Sequence, residues 1–243
     1  MTFCLEDIGS PEALIEVLTK TDIRVPERTA GRQKTQTESW TICRLLATIG
    51  KGSDLAFPIS VTHRDAPDFL VSAGSRKIGV EITEAISEQF AWALAIAEQE
   101  FSNALLDLGN FRWGTPHRTK EELRKLLRKK ALTSDGWSGN HPEQEWALYM
   151  QSVIESKLLK LQKGHFEKFD RNWLAIYDNL PLPSIDLKRA ATQLQLLLLA
   201  RQPWARPPKF DVVYVEYGRK ILAFSSKGFR IMDLNDLWSK AHD

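Results

Sequence analysis

Within residues 64–85, RDAPDFLVSAGSRKIGVEITEA, acids and a hydroxyl fall in a pattern suited to holding a cation. The stretch reads as two short strands, residues 68–72 and 77–83, joined by a turn at Ala73-Gly74-Ser75-Arg76. Gly and Ser in a short connection between apolar runs are a hairpin signal. Ile78, Val80 and Ile82 alternate with Gly79, Glu81 and Thr83. Side chains alternate across a strand, so Glu81 and Thr83 share a polar face opposite a core face. Asp68 opens the partner strand and reaches that polar face. Two carboxylates gathered at one place on a hairpin can hold a hard divalent cation such as Mg²⁺ or Mn²⁺ through oxygen ligands. The plain alternative is an edge sheet whose polar face is solvated.

Pro67-Asp68, a hairpin and then Glu81-Ile82-Thr83 resemble the signature of the PD-(D/E)XK nuclease superfamily. That resemblance implies a restriction-endonuclease-like αβββαβ core: a mixed sheet with helices on both faces. It implies metal-assisted hydrolysis of phosphodiester bonds, with Asp68, Glu81 and the Ile82 backbone carbonyl holding Mg²⁺ or Mn²⁺. The signature lysine is replaced by Thr83, which supplies no cation and is left to position water. Some members of the superfamily carry the lysine on the neighbouring core helix. Lys157 is the candidate for that role here, with Lys160 one turn along. The first core helix often adds an acid to such a site, and Glu38 is the acid available on it. Thr83 also supports a second reading, a catalytically degenerate member that binds nucleic acid or a protein without cutting.

The chain of 243 residues is long enough for a sizeable core, and 43% hydrophobic with 26% charged residues is ordinary for a soluble globular protein. A net charge of +2 does not by itself announce a nucleic-acid binder, so the distribution of charge matters more. Cys4 and Cys43 have no metal-ligand spacing and no disulfide framework, which points to a reducing, cytoplasmic setting. The N-terminus lacks the pattern of a signal peptide, and no apolar run is long enough for a bilayer, so no membrane partner is expected.

The elements around the hairpin follow from local signals. Ser10-Pro11 opens a helix to Lys20. Residues 24–36, with Arg24, Arg28, Arg32 and Lys34, read as an exposed basic loop, either a solvated linker or an arm contacting phosphates. A helix is predicted over 37–49, with Glu38 in its first turn, where a carboxylate also suits the helix dipole. A strand is predicted over 55–62, interrupted at Pro58. His63 follows it, either an ordinary loop residue or one approaching the site. A long helix is predicted over 86–108 and a shorter one over 119–130, opened by the capping box Thr119–Glu122.

A helix over 143–163 carries Lys157 inside its apolar stripe, where the lysine stem can be buried and its head carried outward. A buried strand over 172–179, a Leu-rich helix over 186–201, a hairpin over 210–225, a further strand over 228–234 and a short helix over 233–241 complete the chain. The expected organisation is one nuclease-like domain, 1–243. Its core is about 36–85 and 143–180, with a helical insertion at about 86–142 and a C-terminal extension at about 181–243.

Lys120, Arg124, Lys125, Arg128 and Lys129, with Arg112, Arg118 and Trp113 just upstream, form the strongest basic patch. Cations beside an aromatic suit a phosphate backbone and stacked bases; the ordinary account is a solvated helix face. The partner expected is nucleic acid, DNA in preference to RNA. A homodimer or protein partner is a further possibility, through the Leu-rich helix or the last hairpin.

Overall fold

A computed structural model describes residues 3–26, 30–52, 54–101, 103–129, 131–163, 167, 169–201, 204 and 207–238. The protein is mixed α/β, with one eight-stranded sheet and, among the described residues, six α-helices. The chain divides into two compact units. The first comprises Met1–Glu84, Ile154–Asp178 and Leu199–Asp243; the second comprises Ala85–Val153 and Asn179–Leu198.

The first unit is built on the sheet, whose strands lie side by side in chain order: β1 (Cys4–Ile8), β2 (Ile59–His63), β3 (Phe69–Ala73), β4 (Arg76–Ala85), β5 (Arg171–Asp178), β6 (Val212–Tyr217), β7 (Lys220–Ser225) and β8 (Gly228–Asp233). β1 to β4 pair antiparallel in succession, as do β6 to β8, whereas β5 and β6 run parallel. The β3–β4 turn is tight because Gly74 takes φ 57°, a left-handed conformation open to glycine without steric cost. The predicted strand at 55–62 starts later, at Ile59, directly after Pro58, which has no N–H to give a ladder. β1 is an addition to the predicted elements; its burial pattern, one buried residue in five, leaves almost no hydrophobic signal to read.

Two helices precede β2. α1 (Pro11–Thr19) is capped by Ser10, whose hydroxyl accepts from Ala13 N at 3.2 Å. α2 (Lys34–Ile49) starts three residues before the predicted helix. Gln33 and Gln36 form its capping box, so Lys34 belongs to the helix and not to a basic loop. Arg28 lies outside the described residues. Leu14, Leu18, Ile42, Leu45 and Leu46 join Phe69, Val71, Ile78, Val80, Ile82 and Trp173 in one core. Truncating a fully buried aromatic such as Phe69 there would cost about 3–5 kcal/mol.

The second unit is helical. α3 (Glu88–Glu100) is much shorter than the predicted 86–108, because it ends at Phe101, which leaves helical φ/ψ. Asp107 then caps a 3-10 turn, Leu108–Phe111, and its carboxylate also accepts from Thr133 N at 2.6 Å and Ser134 N at 2.7 Å. Of the apolar positions that suggested a continuous helix, Phe101 packs with Ala93, Phe111, Leu123 and Leu127, whereas Leu105 is exposed. α4 (Lys120–Arg128) carries the predicted Thr119–Glu122 box. α5 (His141–Gln162) and α6 (Leu187–Arg201) each begin in the second unit and end in the first. Residues 234–238 are irregular where a short terminal helix is predicted; its remainder, from residue 239, lies outside the described residues.

Candidate functional site

The acids of the hairpin meet by register. Phe69 stands opposite Val80, so one place further along the ladder sets Asp68 opposite Glu81. Cross-strand partners project to the same face of a sheet. Asp68 carries the ladder on beyond the end of β3 with its own side chain: Oδ2 accepts from Ile82 N at 2.7 Å. Its backbone carbonyl accepts from Arg64 N at 2.8 Å, closing the preceding loop. Gly79 lies two residues before Glu81 on the same face, and it is glycine for want of room. A Cβ there would sit 2.8 Å from the Phe169 ring and 3.0 Å from Pro67.

Lys157, on the part of α5 that belongs to the sheet unit, brings its ammonium to this face. Nζ lies 2.7 Å from Glu81 Oε1 and 3.3 Å from the Ile82 carbonyl oxygen. Ile154 and Leu161 on the same helix are buried, so the lysine leaves an apolar stripe for a polar end, as snorkelling side chains do. Lys160 is exposed. Behind the pair lies a cavity of about 10 Å³, room for about one water, lined by Pro67, Gly79, Glu81, Lys157 and Trp173 among others. Thr83 is half-buried and shares the face of Glu81 by alternation.

α2 adds Glu38, which is buried, together with Lys34 one turn earlier. His63 Nε2 lies 2.9 Å from Glu38 Oε2, its ring edge-on to Phe69. Lys34 Nζ lies 2.9 Å from Asp68 Oδ1 and 2.5 Å from Glu38 Oε1. The two contacts tie one ammonium to both acids. The region thus gathers three carboxylates, Glu38, Asp68 and Glu81, against two ammonium groups.

The imbalance is visible in the acids' proton affinities. Burial, and next the charge of Glu81, push the Asp68 carboxyl up to about 6, against the opposing pull of Ile82 N–H and Lys34. Burial would raise Glu38 as well, but hydrogen bonds led by His63 and Lys34 outweigh it and hold that carboxyl below its ordinary value. A buried carboxylate beside another is under-neutralised, and an oxygen-seeking cation relieves that. Among the described residues no three His, Cys, Asp or Glu side chains converge as a ready-made metal cage. Mg²⁺ needs less, taking one or two carboxylates and keeping several waters. The Asp68 and Glu81 carboxylates and the Ile82 carbonyl are hard oxygen donors of the kind it takes.

Sequence reasoning missed the role of Lys34 in this cluster, and it left His63 open between a loop residue and one approaching the site, without its partner Glu38. In the sequence Lys34 reads as part of a loop, and its capping signal rests on two glutamines. His63 finds Glu38 across 25 residues, and no local pattern encodes that contact.

The predicted nucleic-acid patch lies in the second unit, and its cations differ in how free they are. Arg112 donates from Nε to Glu145 Oε1 at 2.7 Å and from Nη1 to the Gly136 carbonyl at 2.8 Å, and it stands over the Trp137 ring. Arg118 donates to the Asn110 carbonyl at 2.6 Å. Arg124 is bound bidentately by Glu100. Arg128 is exposed, 3.9 Å from Glu121. Lys120, Lys125 and Lys129 are exposed and, among the described residues, have no ion-pair partner. Trp113 stacks edge-on against Tyr149 and remains 39% exposed, enough ring to meet a base.

Among the described residues, no helix is long and apolar enough to cross a membrane. Comparison of the chain with protein-family models, with curated proteins and with solved structures finds no match.

Proposed function

We propose that this chain is a metal-dependent nuclease of the PD-(D/E)XK kind that hydrolyses phosphodiester bonds of nucleic acid, DNA in preference to RNA. The observation that carries the reading is the meeting of Asp68 and Glu81 on one sheet face with a lysine ammonium 2.7 Å from Glu81 Oε1. The order α2, β2, β3, β4, α5, β5 supports it, being the order an αβββαβ core requires.

Asp68, Glu81 and the Ile82 carbonyl are the groups that would hold Mg²⁺ or Mn²⁺, which when bound lowers the pKa of a water and polarises a phosphoryl oxygen. Lys157, fixed between Glu81 and the Ile82 carbonyl, stands where an ammonium can stabilise negative charge growing on the phosphoryl group. It supplies the charge that Thr83 lacks. Thr83, two residues from Glu81 on the same face, offers a hydroxyl to orient water. Glu38 is oriented by His63 through Oε2 and presents Oε1 to Lys34 in the same cluster. Lys120, Lys125, Arg128 and Lys129, with the exposed ring of Trp113, give the second unit a surface suited to a phosphate backbone.

The test is cleavage of single- and double-stranded DNA and RNA with Mg²⁺ or Mn²⁺, beside Asp68→Ala and Glu81→Ala. Metal-dependent cleavage of DNA, lost in both variants, is the expected result. Cleavage that survives in both variants would refute the assignment.

One observation favours a second reading, a non-cleaving nucleic-acid binder on the same fold. The ammonium groups of Lys34 and Lys157 already neutralise much of the acid cluster without a metal. That protein would bind nucleic acid with strong salt dependence and leave it intact with either metal.

A further inference from the structure

The two lysines of the site are held very differently. The Lys157 side chain is 15% exposed and bonded to both Glu81 and a backbone carbonyl. The Lys34 side chain is 74% exposed, yet its tip touches Asp68 and Glu38, whose side chains are 3% and 4% exposed. Lys34 therefore reaches in from the solvent side and closes over two buried acids, with nothing but its ammonium engaged. That ammonium donates to Asp68 Oδ1 at 2.9 Å and lies 2.5 Å from Glu38 Oε1.

Two buried carboxylates need a counter-charge, since an uncompensated buried charge is strongly unfavourable. The Lys34 side chain is otherwise largely in solvent, so it regains rotamer freedom on leaving. A divalent cation held by Asp68 and Glu81 brings twice the charge to the Asp68 carboxylate that Lys34 now contacts. We propose that Lys34 is a displaceable counter-ion: it neutralises Asp68 and Glu38 in the metal-free protein, yields to the divalent cation, and turns its ammonium to a phosphate of the bound nucleic acid. This rests on reading Asp68 and Glu81 as metal ligands. Lys34 is the first residue of α2, so its release needs no unwinding of the helix. An incoming phosphate must approach from the solvent side, which is the side Lys34 occupies.

The test is calorimetric titration with Mn²⁺ of the full chain, comparing wild type, Lys34→Met, Lys34→Gln and Asp68→Asn. Removing a competing cation tightens metal binding, by about tenfold if Lys34 holds its place with about 1.4 kcal/mol. Both Lys34 variants are expected to show it, while Asp68→Asn loses Mn²⁺ binding. With Ca²⁺ in place of the catalytic metal, Lys34→Met should bind DNA more weakly, with a salt slope smaller by about 0.9, the value for one neutralised phosphate.

Mn²⁺ binding that is lost in Asp68→Asn but unchanged or weaker in the Lys34 variants overturns the counter-ion proposal and leaves the metal site standing. An unchanged salt slope in Ca²⁺ overturns the transfer to phosphate. Absence of Mn²⁺ binding in wild type, or equal binding in Asp68→Asn, overturns the metal reading and this proposal with it.

Discussion

Replacing Asp68 by Asn should make the metal-free protein more stable at neutral pH, because the native fold holds this acid against its own ionisation. Asp68 is 2% exposed, and burial together with the charge of Glu81 raises its carboxyl from 3.8 to about 6. A shift of that size is a preference for the neutral form of about 3 kcal/mol. Asn is neutral and keeps an oxygen to accept from Ile82 N, now 2.7 Å from Asp68 Oδ2. The attraction of Lys34 is already contained in that net shift. The gain at about pH 8 is therefore about 3 kcal/mol, or about 6–12 °C in Tm for a chain of this size.

The pH dependence has a definite sign. The folded pKa lies above the unfolded one, so the native state binds more protons in between. The contribution of Asp68 is fully present below about pH 4 and is lost as pH rises through about 6. Wild type and Asp68→Asn should therefore unfold alike at about pH 3 and diverge to the full gap by about pH 8, measured in EDTA by denaturant or thermal unfolding. A variant less stable than wild type at pH 8, or a gap that ignores pH, would refute the electrostatic account of this cluster.

Lys157→Ala should lose cleavage by about 10²–10³-fold, the cost of removing one preorganised donor, while Mn²⁺ affinity measured by calorimetry stays within a few fold. Charge reversal at Lys120, Lys125 and Lys129 should weaken DNA binding and lower the salt slope by about 0.9 for each phosphate no longer neutralised; titrations at several salt concentrations measure both. Arg44 is buried against Glu216 and Asp236, at 2.9 and 3.1 Å, and lies over the Trp40 ring. Arg44→Ala should cost about 3–5 kcal/mol in urea unfolding, because Glu216 is left buried and unpaired, and Arg44→Met with Glu216→Leu should recover most of it.

What the sequence disclosed depended on how far apart the cooperating residues stand. The β3–β4 hairpin was legible because its turn needs Gly74 and its second strand alternates with period two. Register then put Asp68 opposite Glu81 without any further information. The inward position of Lys157 was legible as well, since it interrupts a stripe whose neighbours Ile154 and Leu161 are buried. The acid cluster's other partners were not legible, because they are fixed by tertiary packing: Lys34 reaches Asp68 over 34 residues and His63 reaches Glu38 over 25. The same distance misled the reading of Arg112. As sequence it is one more cation beside a basic helix; in the fold, Glu145, 33 residues on, holds it.

Under the proposed nuclease reading, a threonine at position 83 where the signature has lysine has a physical rationale in these long-range interactions. A signature lysine at position 83 would stand two residues from Glu81 on the same face, beside an ammonium already bonded to Glu81 and to the Ile82 carbonyl. Two ammonium groups on one carboxylate repel, so with Lys157 in place a neutral residue at 83 is the better partner. Thr83→Lys is then expected to be tolerated best together with Lys157→Ala. Cleavage and unfolding measured on the double variant and both single ones form a cycle whose coupling energy reports whether the two positions share one charge. Strict additivity across that cycle would show that the two positions act independently.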